Sequence, residues 1–573
     1  MEATAKAALR RAQDPAFVQR YLTGDGIDIA RPDNRLASHA HLFPRLGRVS
    51  WWDTTLGGES RMNGIEEASL DFVHANLCLA EQDEPRRSLA CWLDLLKAGG
   101  YAVITVPDED RFEKGRWPSV VNPRHKFSFT VSKPTKSLPR SVDVIDLVRS
   151  VAHMAECERL DLIDGAAEAG SGEGVIELVL RKREGPTPMQ SVHAIATAPD
   201  AHECVLACER AIQRHPHHFN MYHFAATRLL HWQELDAMDS IWTRCVEYFG
   251  ADYLPRLYLV LHTISRGRIN EGFAMREALI APQGWQRRTK AQPPAHIPAW
   301  TGEPLEGKSI VIWSEFGLGD EIFFFRFARI LRERAGASRV SVVCQSPLTA
   351  LFRASGEADA VIDIAALTDS PAPAHDFWVF PHAIPAYLPL DLDALPPSVP
   401  YLHTSREAPP EVTQTAPGVL KIGLAFKGDP THENDRARSL PSLSALDDLF
   451  ALEGIAYFSV QKGAGADEAA AYATKLGNFH DLGANLKTME QTAAAIAAMD
   501  LVVTVDTSIA HVAGALGKPV WLLLPHFGDW RWHYVREDSP WYPQMRLLRN
   551  SHSGAWSDVV ARLVVELRKL TTS

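Results

Sequence analysis

Six short apolar runs punctuate the last part of the chain, at residues 309–313, 340–344, 420–426, 457–460, 501–505 and 520–524. Each is too short for a helix of ordinary length and is rich in Val, Ile and Leu, the signature of a strand covered on both faces. Such a segment is α/β, and a proline-rich crossover at residues 388–410 splits it into unequal halves, 300–405 and 415–573. Two Rossmann-like halves joined by a linker leave a cleft in which a ligand can bind.

At 573 residues the chain exceeds what one core supports, so several domains are expected. Proline clusters at 184–188 and 291–304 mark the linkers. The first segment, 1–185, alternates expected strands at 26–29, 48–52, 70–74 and 101–106 with a helical pattern at 87–97, which implies a parallel, doubly wound sheet. The middle segment, 190–290, is helical. Two helix pairs repeat there at an offset near 34 residues, aligning Leu230 with Ile264 and Leu235 with Ile269, the period of tetratricopeptide units. Such a layer serves either to dock an acceptor or to space its neighbours.

A net charge of −11 excludes a general nucleic-acid or membrane-surface binder. No apolar run reaches membrane-spanning length, and residues 1–14 lack the apolar stretch of a signal peptide. Seven cysteines show no metal-ligand spacing, so no metal site is expected; Cys204 and Cys208 read as buried thiols on one helix face. The chain reads as cytoplasmic and reduced.

Three motifs carry chemistry. In the first, the strand 501–505 ends at Asp506, and Thr507 and Ser508 open a helix of small residues that holds His511 one turn in. Free backbone N–H groups at that helix end suit a diphosphate, which His511 can also reach. A bland reading has Asp506 and Ser508 capping the helix and His511 satisfied in the core. In the second, Phe316-Gly317-Leu318-Gly319-Asp320 follows a strand as a tight glycine turn, where Asp320 is either a helix cap or a base facing the cleft. The third is the loop 426–439, which concentrates Lys427, His432, Asn434, Arg436 and Arg438. It reads as a clamp for a leaving diphosphate, or as an exposed mixed-charge loop.

Together these motifs, with the stretches Asp529-Trp530-Arg531-Trp532 and 538–543, resemble the ADP-heptose–lipopolysaccharide heptosyltransferase family, glycosyltransferase family nine. The closest likeness is to members carrying tetratricopeptide repeats. The resemblance covers residues 298–565 and implies a GT-B fold, a nucleotide-sugar donor held mainly by the second half, and inverting transfer without a metal. It places Asp320 as the base, Lys427, Asn434 and Arg438 near the diphosphate, and Asp506, Thr507, Ser508 and His511 along the donor site. It also implies a polypeptide acceptor of flagellin or adhesin type, or a glycan; an oligomer is left open. Phe426-Lys427-Gly428-Asp429 and Gln491 depart from the family pattern at positions that bear on donor identity.

Residues 1–130 resemble class I methyltransferases dependent on S-adenosylmethionine, on Gly26-Ile27-Asp28-Ile29, residues 70–73, 92–100, 106–111 and 117–130. Asp28 and Asp53 are the candidate cofactor contacts, Asp53 toward the ribose. Ala30-Arg31-Pro32 replaces the glycines that let backbone approach the cofactor, and Ala80-Glu81 stands where relatives carry Glu-His. A degenerate domain is therefore favoured. Two further readings remain: a methyltransferase or bifunctional enzyme of surface glycan synthesis, and a non-catalytic scaffold.

Overall fold

The computed structural model describes residues 3–32, 34–53, 64–131, 133, 138–164, 174–280, 289–368, 374–388, 390, 399–550 and 556–571. Two compact units divide the chain, Met1–Phe249 and Gly250–Ser573. The division falls inside the expected helical segment 190–290.

The first unit is built on strands β1 Gly24–Ala30, β2 Leu46–Asp53, β3 Leu70–Asn76 and β4 Leu96–Pro107. A separate parallel pair, β5 Ser128–Thr130 and β6 Ser141–Asp143, follows. β7 Ala155–Ile163 and β8 Val175–Lys182 complete the main sheet, whose order is β2-β1-β3-β4-β8-β7. The first four strands are parallel, and β8 runs antiparallel to both of its neighbours. β7 escapes the sequence reading because its nine residues hold four charges and are only partly buried. Four helices close the unit: Pro188–Ala196, Ala201–Arg214, Phe219–His231 and Leu235–Phe249. Cys204 and Cys208 are buried on one of them, as free thiols.

The second unit opens with helices Tyr253–Ser265 and Ile269–Ile280, which begin 34 residues after Phe219–His231 and Leu235–Phe249. The pair closes tightly at Gly272, where a Cβ would stand 2.4 Å from Ile264 Cγ1. Beyond it lie two parallel sheets. One holds β9 Ser309–Ile312, β10 Arg339–Cys344, β11 Ala360–Asp363 and β12 Phe377–Val379, ordered β11-β10-β9-β12. The other holds β13 Leu420–Ala425, β14 Ile455–Ser459, β15 Phe479–Asp481, β16 Leu501–Val505, β17 Val520–Leu524 and β18 Met545–Arg549, ordered β15-β14-β13-β16-β17-β18. All six apolar runs seen in the sequence are strands. Residues 389 and 391–398 of the expected crossover 388–410 lie outside the described residues. No helix among the described residues is long and apolar enough to cross a membrane.

Helix Ser508–Ala515 packs against helix Leu318–Phe325 and against β16 and β17. Its small residues permit that approach: a Cβ on Gly514 would lie 2.6 Å from the ring of Tyr542. That ring is buried, and its hydroxyl is bonded to His511 and Tyr401, so it cannot move aside freely. Gly514→Ala should therefore cost about 1–3 kcal/mol of stability, as an overpacked core does. Denaturant unfolding of the full chain checks this, and an unchanged midpoint would show that the ring yields.

Candidate functional site

In a parallel sheet, ligands bind beyond the carboxyl ends of the strands where the strand order reverses. The reversal lies between β9 and β12 in the four-stranded sheet and between β13 and β16 in the six-stranded one. The loops leaving those four strands carry Glu315 to Asp320, His382, the loop 426–438 and Asp506 to Ser508, so the two reversals collect nearly every residue singled out above.

Asp320 lies in the first turn of helix Leu318–Phe325 and does two jobs. Its Oδ2 accepts from the Gly317 N–H at 3.1 Å, a cap, while Oδ1 accepts from Arg531 Nη2 at 2.5 Å. His382 Nε2 stands 3.6 Å from the same oxygen. The cap expected as one alternative is thus formed by one oxygen, while the other oxygen is bonded to Arg531. Behind it, buried Glu315 accepts from the backbone N–H of His382 and lies 2.9 Å from its Nδ1, with Arg276 3.7 Å from the other oxygen. Burial pushes His382 down to about 4, so near neutral pH it is an uncharged imidazole.

Arg531 was not singled out by sequence reasoning, yet it joins the two halves. Besides Asp320, its guanidinium donates to Asp529 Oδ1 at 2.8 Å. It lies over the rings of Trp530 and Phe323, at 4.2 and 4.9 Å from their centroids. A fork of five donors stacked between aromatic faces is a role arginine can fill and lysine cannot. The signal was present as an arginine between two tryptophans, which composition alone does not distinguish from a surface motif.

Thr507 caps helix Ser508–Ala515, its side chain accepting from the Ile509 N–H, and Ser508 is the first helical residue. Gly319 closes on this helix end: a Cβ there would stand 3.1 Å from His511 Cδ2 and 3.8 Å from Ser508 Cα. Any side chain would intrude between Asp320's turn and the helix, so glycine is required by proximity. His511 is buried, stacked on Trp532, and 3.0 Å from Tyr542 Oη. Burial holds its pKa well below the usual value, so it is neutral. Arg326 donates to Tyr401 Oη at 3.1 Å, and Tyr401 and Tyr542 hydroxyls are 3.1 Å apart. Arginine cannot accept, and the assignment that uses each hydroxyl proton runs Arg326 to Tyr401 to Tyr542 to His511 Nδ1. It leaves His511 Nε2 as an N–H donor. The bland reading of a satisfied core histidine holds for one ring nitrogen only.

Asp506 is half-buried at the end of β16. Burial, and next the negative Asp529, push its carboxyl up to about 6, while Arg531 and Arg438 oppose the shift. Arg438 is therefore close enough to feel Asp506, and its buried Nε has no hydrogen-bond partner. The loop is shaped around it: a Cβ on Gly428 would lie 3.0 Å from Arg438 Nη2, and the Gly428 N–H is bonded to Ser439 Oγ. Lys427 instead pairs with Glu468 at 2.5 Å, and Asn434 is exposed at the start of the short helix Asp435–Arg438. Of the expected diphosphate contacts, Arg438 is thus the one brought to Asp506. Gln491 accepts from the Thr488 and Lys487 N–H groups as a helix cap, which accounts for it without a ligand.

In the first unit the reversal lies between β1 and β3. Both oxygens of Asp28 are engaged there, Oδ2 by the Leu36 N–H at 2.5 Å and Oδ1 by His74 Nδ1 at 2.6 Å. His74 continues to Arg11, which pairs with Glu177 at 2.6 Å. Arg31, leaving β1, is held by Glu81, which follows β3, at 2.8 and 2.7 Å. This ion pair joins the segments that follow β1 and β3. Asp53 ends β2, and the residues after it, 54–63, lie outside those described.

Residues 456–555 match the family description Glycosyltransferase family 9 (heptosyltransferase), so this part of the chain is a glycosyltransferase domain. The match runs from β14 through the helix at Ser508 to Arg531 and β18. Protein FlbA of Caulobacter vibrioides is 27% identical over 335 residues, 54% of each chain; the chain thus spans about half the length of this curated relative. Among solved structures, a glycosyl transferase family 9 protein from Veillonella parvula covers 47% of this chain and 98% of its own, at 15% identity and a TM-score of 0.35. ADP-heptose lps heptosyltransferase II of E. coli covers 46% and 98%, at 16% and 0.34. A putative methyltransferase from Bacillus halodurans covers 31% and 99%, at 11% and 0.22.

The buried acid next to Asp320 makes a pH dependence testable. Burial pushes Glu321 up to about 7, against hydrogen bonds from Ser314 and Gln345. A carboxyl whose folded pKa is raised contributes stability that is complete below the unfolded pKa of about 4.5 and lost as pH rises through about 7. Glu321→Gln should flatten the fall in unfolding free energy between those pH values by a few kcal/mol, on the order of 1.4 per pKa unit. Urea unfolding at several pH values reads it, and an identical slope in both proteins would assign the titration elsewhere.

Proposed function

We propose that the second unit transfers a sugar from a nucleoside diphosphate donor to a hydroxyl, with Asp320 as the base and inversion at the anomeric carbon. The observation that carries this reading is the meeting of a carboxylate and an anion-binding helix end. Asp320 sits one residue from Gly319, where an added Cβ would come within 3.1 Å of His511 and 3.8 Å of Ser508, in a unit whose residues 456–555 match a glycosyltransferase family. In the proposed reaction the acceptor oxygen bonds to the anomeric carbon while its proton passes to Asp320, and the bond to the diphosphate oxygen breaks. Arg531 and the Gly317 N–H orient the carboxylate. The N–H groups at Ser508, the Nε2–H of His511 and the guanidinium of Arg438 receive the charge growing on the leaving diphosphate. Lys427 and Asn434 reach it only after leaving Glu468 and solvent respectively, so they rank behind Arg438.

On the acceptor side, a cavity of about 560 Å³ is lined by Lys290, Leu318, Gln345, Ser346, Ile364 and Leu367, beside the turn that carries Asp320. The acceptor is proposed as a protein hydroxyl of flagellin or adhesin type, or a glycan. Support for a protein comes from the helix pairs offset by 34 residues, taken as tetratricopeptide-like, and from exposed Leu254 and Leu261 one heptad apart on one of them. A panel of nucleoside diphosphates in thermal-shift assays identifies the base. Asp320→Asn should then bind the chosen nucleotide as the wild type does, while the transfer rate falls by roughly 10²–10⁴-fold. Undiminished transfer would remove Asp320 from the chemistry.

The first unit is proposed to be a methyltransferase-like fold without cofactor binding. Asp28 has spent its oxygens inside the protein, and the Arg31–Glu81 pair spans the crevice. S-adenosylmethionine at millimolar concentration should leave the melting temperature unchanged. A saturable shift would reinstate a bifunctional enzyme.

A further inference from the structure

Helix Pro85–Asp94 ends on a carboxylate that is almost wholly buried, and three histidines of the turn His215-Pro216-His217-His218 converge on it. The turn joins helix Ala201–Arg214 to helix Phe219–His231. It is rigid: the His215 N–H bonds to Ala211 O, the His218 N–H to His215 O, and Tyr222 Oη to Pro216 O. His217 Nε2 and His218 Nε2 lie 2.6 and 2.7 Å from Asp94 Oδ2, and His215 Nδ1 lies 4.0 Å from Oδ1. Donor atoms of Asp94, His215 and His218 all fall within 4.8 Å of one another.

Hydrogen bonding within the protein accounts for only part of this cluster. Two histidines share one carboxylate oxygen, and Lys182 Nζ stands 3.3 Å from the other. His215, 1% exposed, is left with both ring nitrogens buried and without a hydrogen-bond partner, and His217 Nδ1 is in the same position. A buried imidazole with neither nitrogen engaged is costly and calls for a missing partner, for which an ion qualifies.

We propose that Asp94, His215 and His218 bind a divalent transition metal of the zinc class, with His217 holding the carboxylate in place. Two imidazoles and a carboxylate suit zinc and its neighbours better than magnesium or calcium. In a tetrahedral site with bonds of about 2.0–2.1 Å, ligand atoms stand about 3.3 Å apart. The donor atoms of the three residues lie within 4.8 Å of one another, so movements of about 1.5 Å or less bring them to that spacing. The second histidine on the carboxylate supplies the orienting hydrogen bond that metal-bound carboxylates carry. The ligands come from the end of a helix flanking the first sheet and from the turn between two later helices. The ion therefore ties the helical layer to the sheet within this unit. Lys182, 3.3 Å from Asp94 Oδ1, is an unfavourable neighbour because a cation already offsets the carboxylate, and Arg214 adds to it from farther away. The sequence showed no metal spacing because Asp94 is distant in the chain and the histidines are contiguous rather than spaced as ligand pairs.

The test uses the full chain, purified without a histidine tag, stripped with a chelator and titrated with Zn²⁺ by calorimetry. Co²⁺ serves as a spectroscopic probe. Expected are one equivalent of Zn²⁺ per chain, a rise in melting temperature on binding, and visible Co²⁺ bands of a low-coordinate nitrogen and oxygen site. His215→Ala and His218→Ala should each weaken Zn²⁺ at least tenfold, and Lys182→Met should tighten it, because the competing cation is gone. No binding by the wild type, or equal affinity in the His215→Ala/His218→Ala double variant, overturns the site. Should the variants fold poorly, absence of Co²⁺ bands in the wild type overturns it without them.

Discussion

Everything at the candidate centre of the second unit depends on one guanidinium. Arg531 comes from the six-stranded half and bonds to Asp320 in the four-stranded half, to Asp529 in its own, and to aromatic rings on either side. Removing one partner from a buried ion pair leaves an uncompensated charge, a loss of several kcal/mol. The residue that orients the proposed base is therefore also a fastener between the halves, and both tasks constrain it to arginine. Arg326 repeats the pattern deeper in, bonded to the Trp541 carbonyl and to Tyr401 and lying over four aromatic rings. Its chain of hydroxyls ends on His511, which ties that imidazole to the core.

The central strands of both sheets were legible as apolar runs because strands covered on two faces leave no polar alternation. The short edge strands were not. β12 and β15 are three residues long, β11 is four, and none contains enough pattern to rise above its surroundings. Site residues followed a similar rule. Asp506, Thr507 and Ser508 were readable because a strand must end and a helix must be capped where they stand, and the local chain dictates both. Arg531, Glu315 and His382 were not, since their roles come from partners dozens to hundreds of residues away. Lys427 and Asn434 show the limit of reading a loop by composition. A cation in a basic loop looks available in sequence, while the fold assigns Lys427 to Glu468 and leaves Asn434 in solvent.

In the first unit the strand order reverses between β1 and β3, and the residues after those strands meet as Arg31 and Glu81. Beneath, Asp28, His74, Arg11 and Glu177 form a buried chain of alternating charge and imidazole that fixes the N-terminal helix to the sheet. Such a network is stable only if every member is satisfied, so a ligand that took Asp28 would leave His74 unpaired. The same carboxylate cannot serve both ends.

Charge balance separates the two units more sharply than fold does. Around the Ser508 helix end, Asp320, Asp506 and Asp529 face Arg438, Arg531 and Arg549. The pairing is uneven. Arg531 donates to Asp320 and Asp529, Arg549 to the carbonyls of Trp532 and His533, and Arg438 stands 3.7 Å from Asp435, while the Nε of each of the three is buried without a hydrogen bond. Burial, and next Asp529, raise the Asp506 carboxyl to about 6 against a hydrogen bond from Trp532 and the charges of Arg531 and Arg438, while Arg531 moves in the opposite sense to its burial. The proposed anion site draws on the N-terminus of the Ser508 helix and on Arg438, whose Nε has no hydrogen bond. In the first unit both oxygens of Asp28 are bonded and Arg31 is paired with Glu81, and that contrast underlies the different readings proposed for the two units.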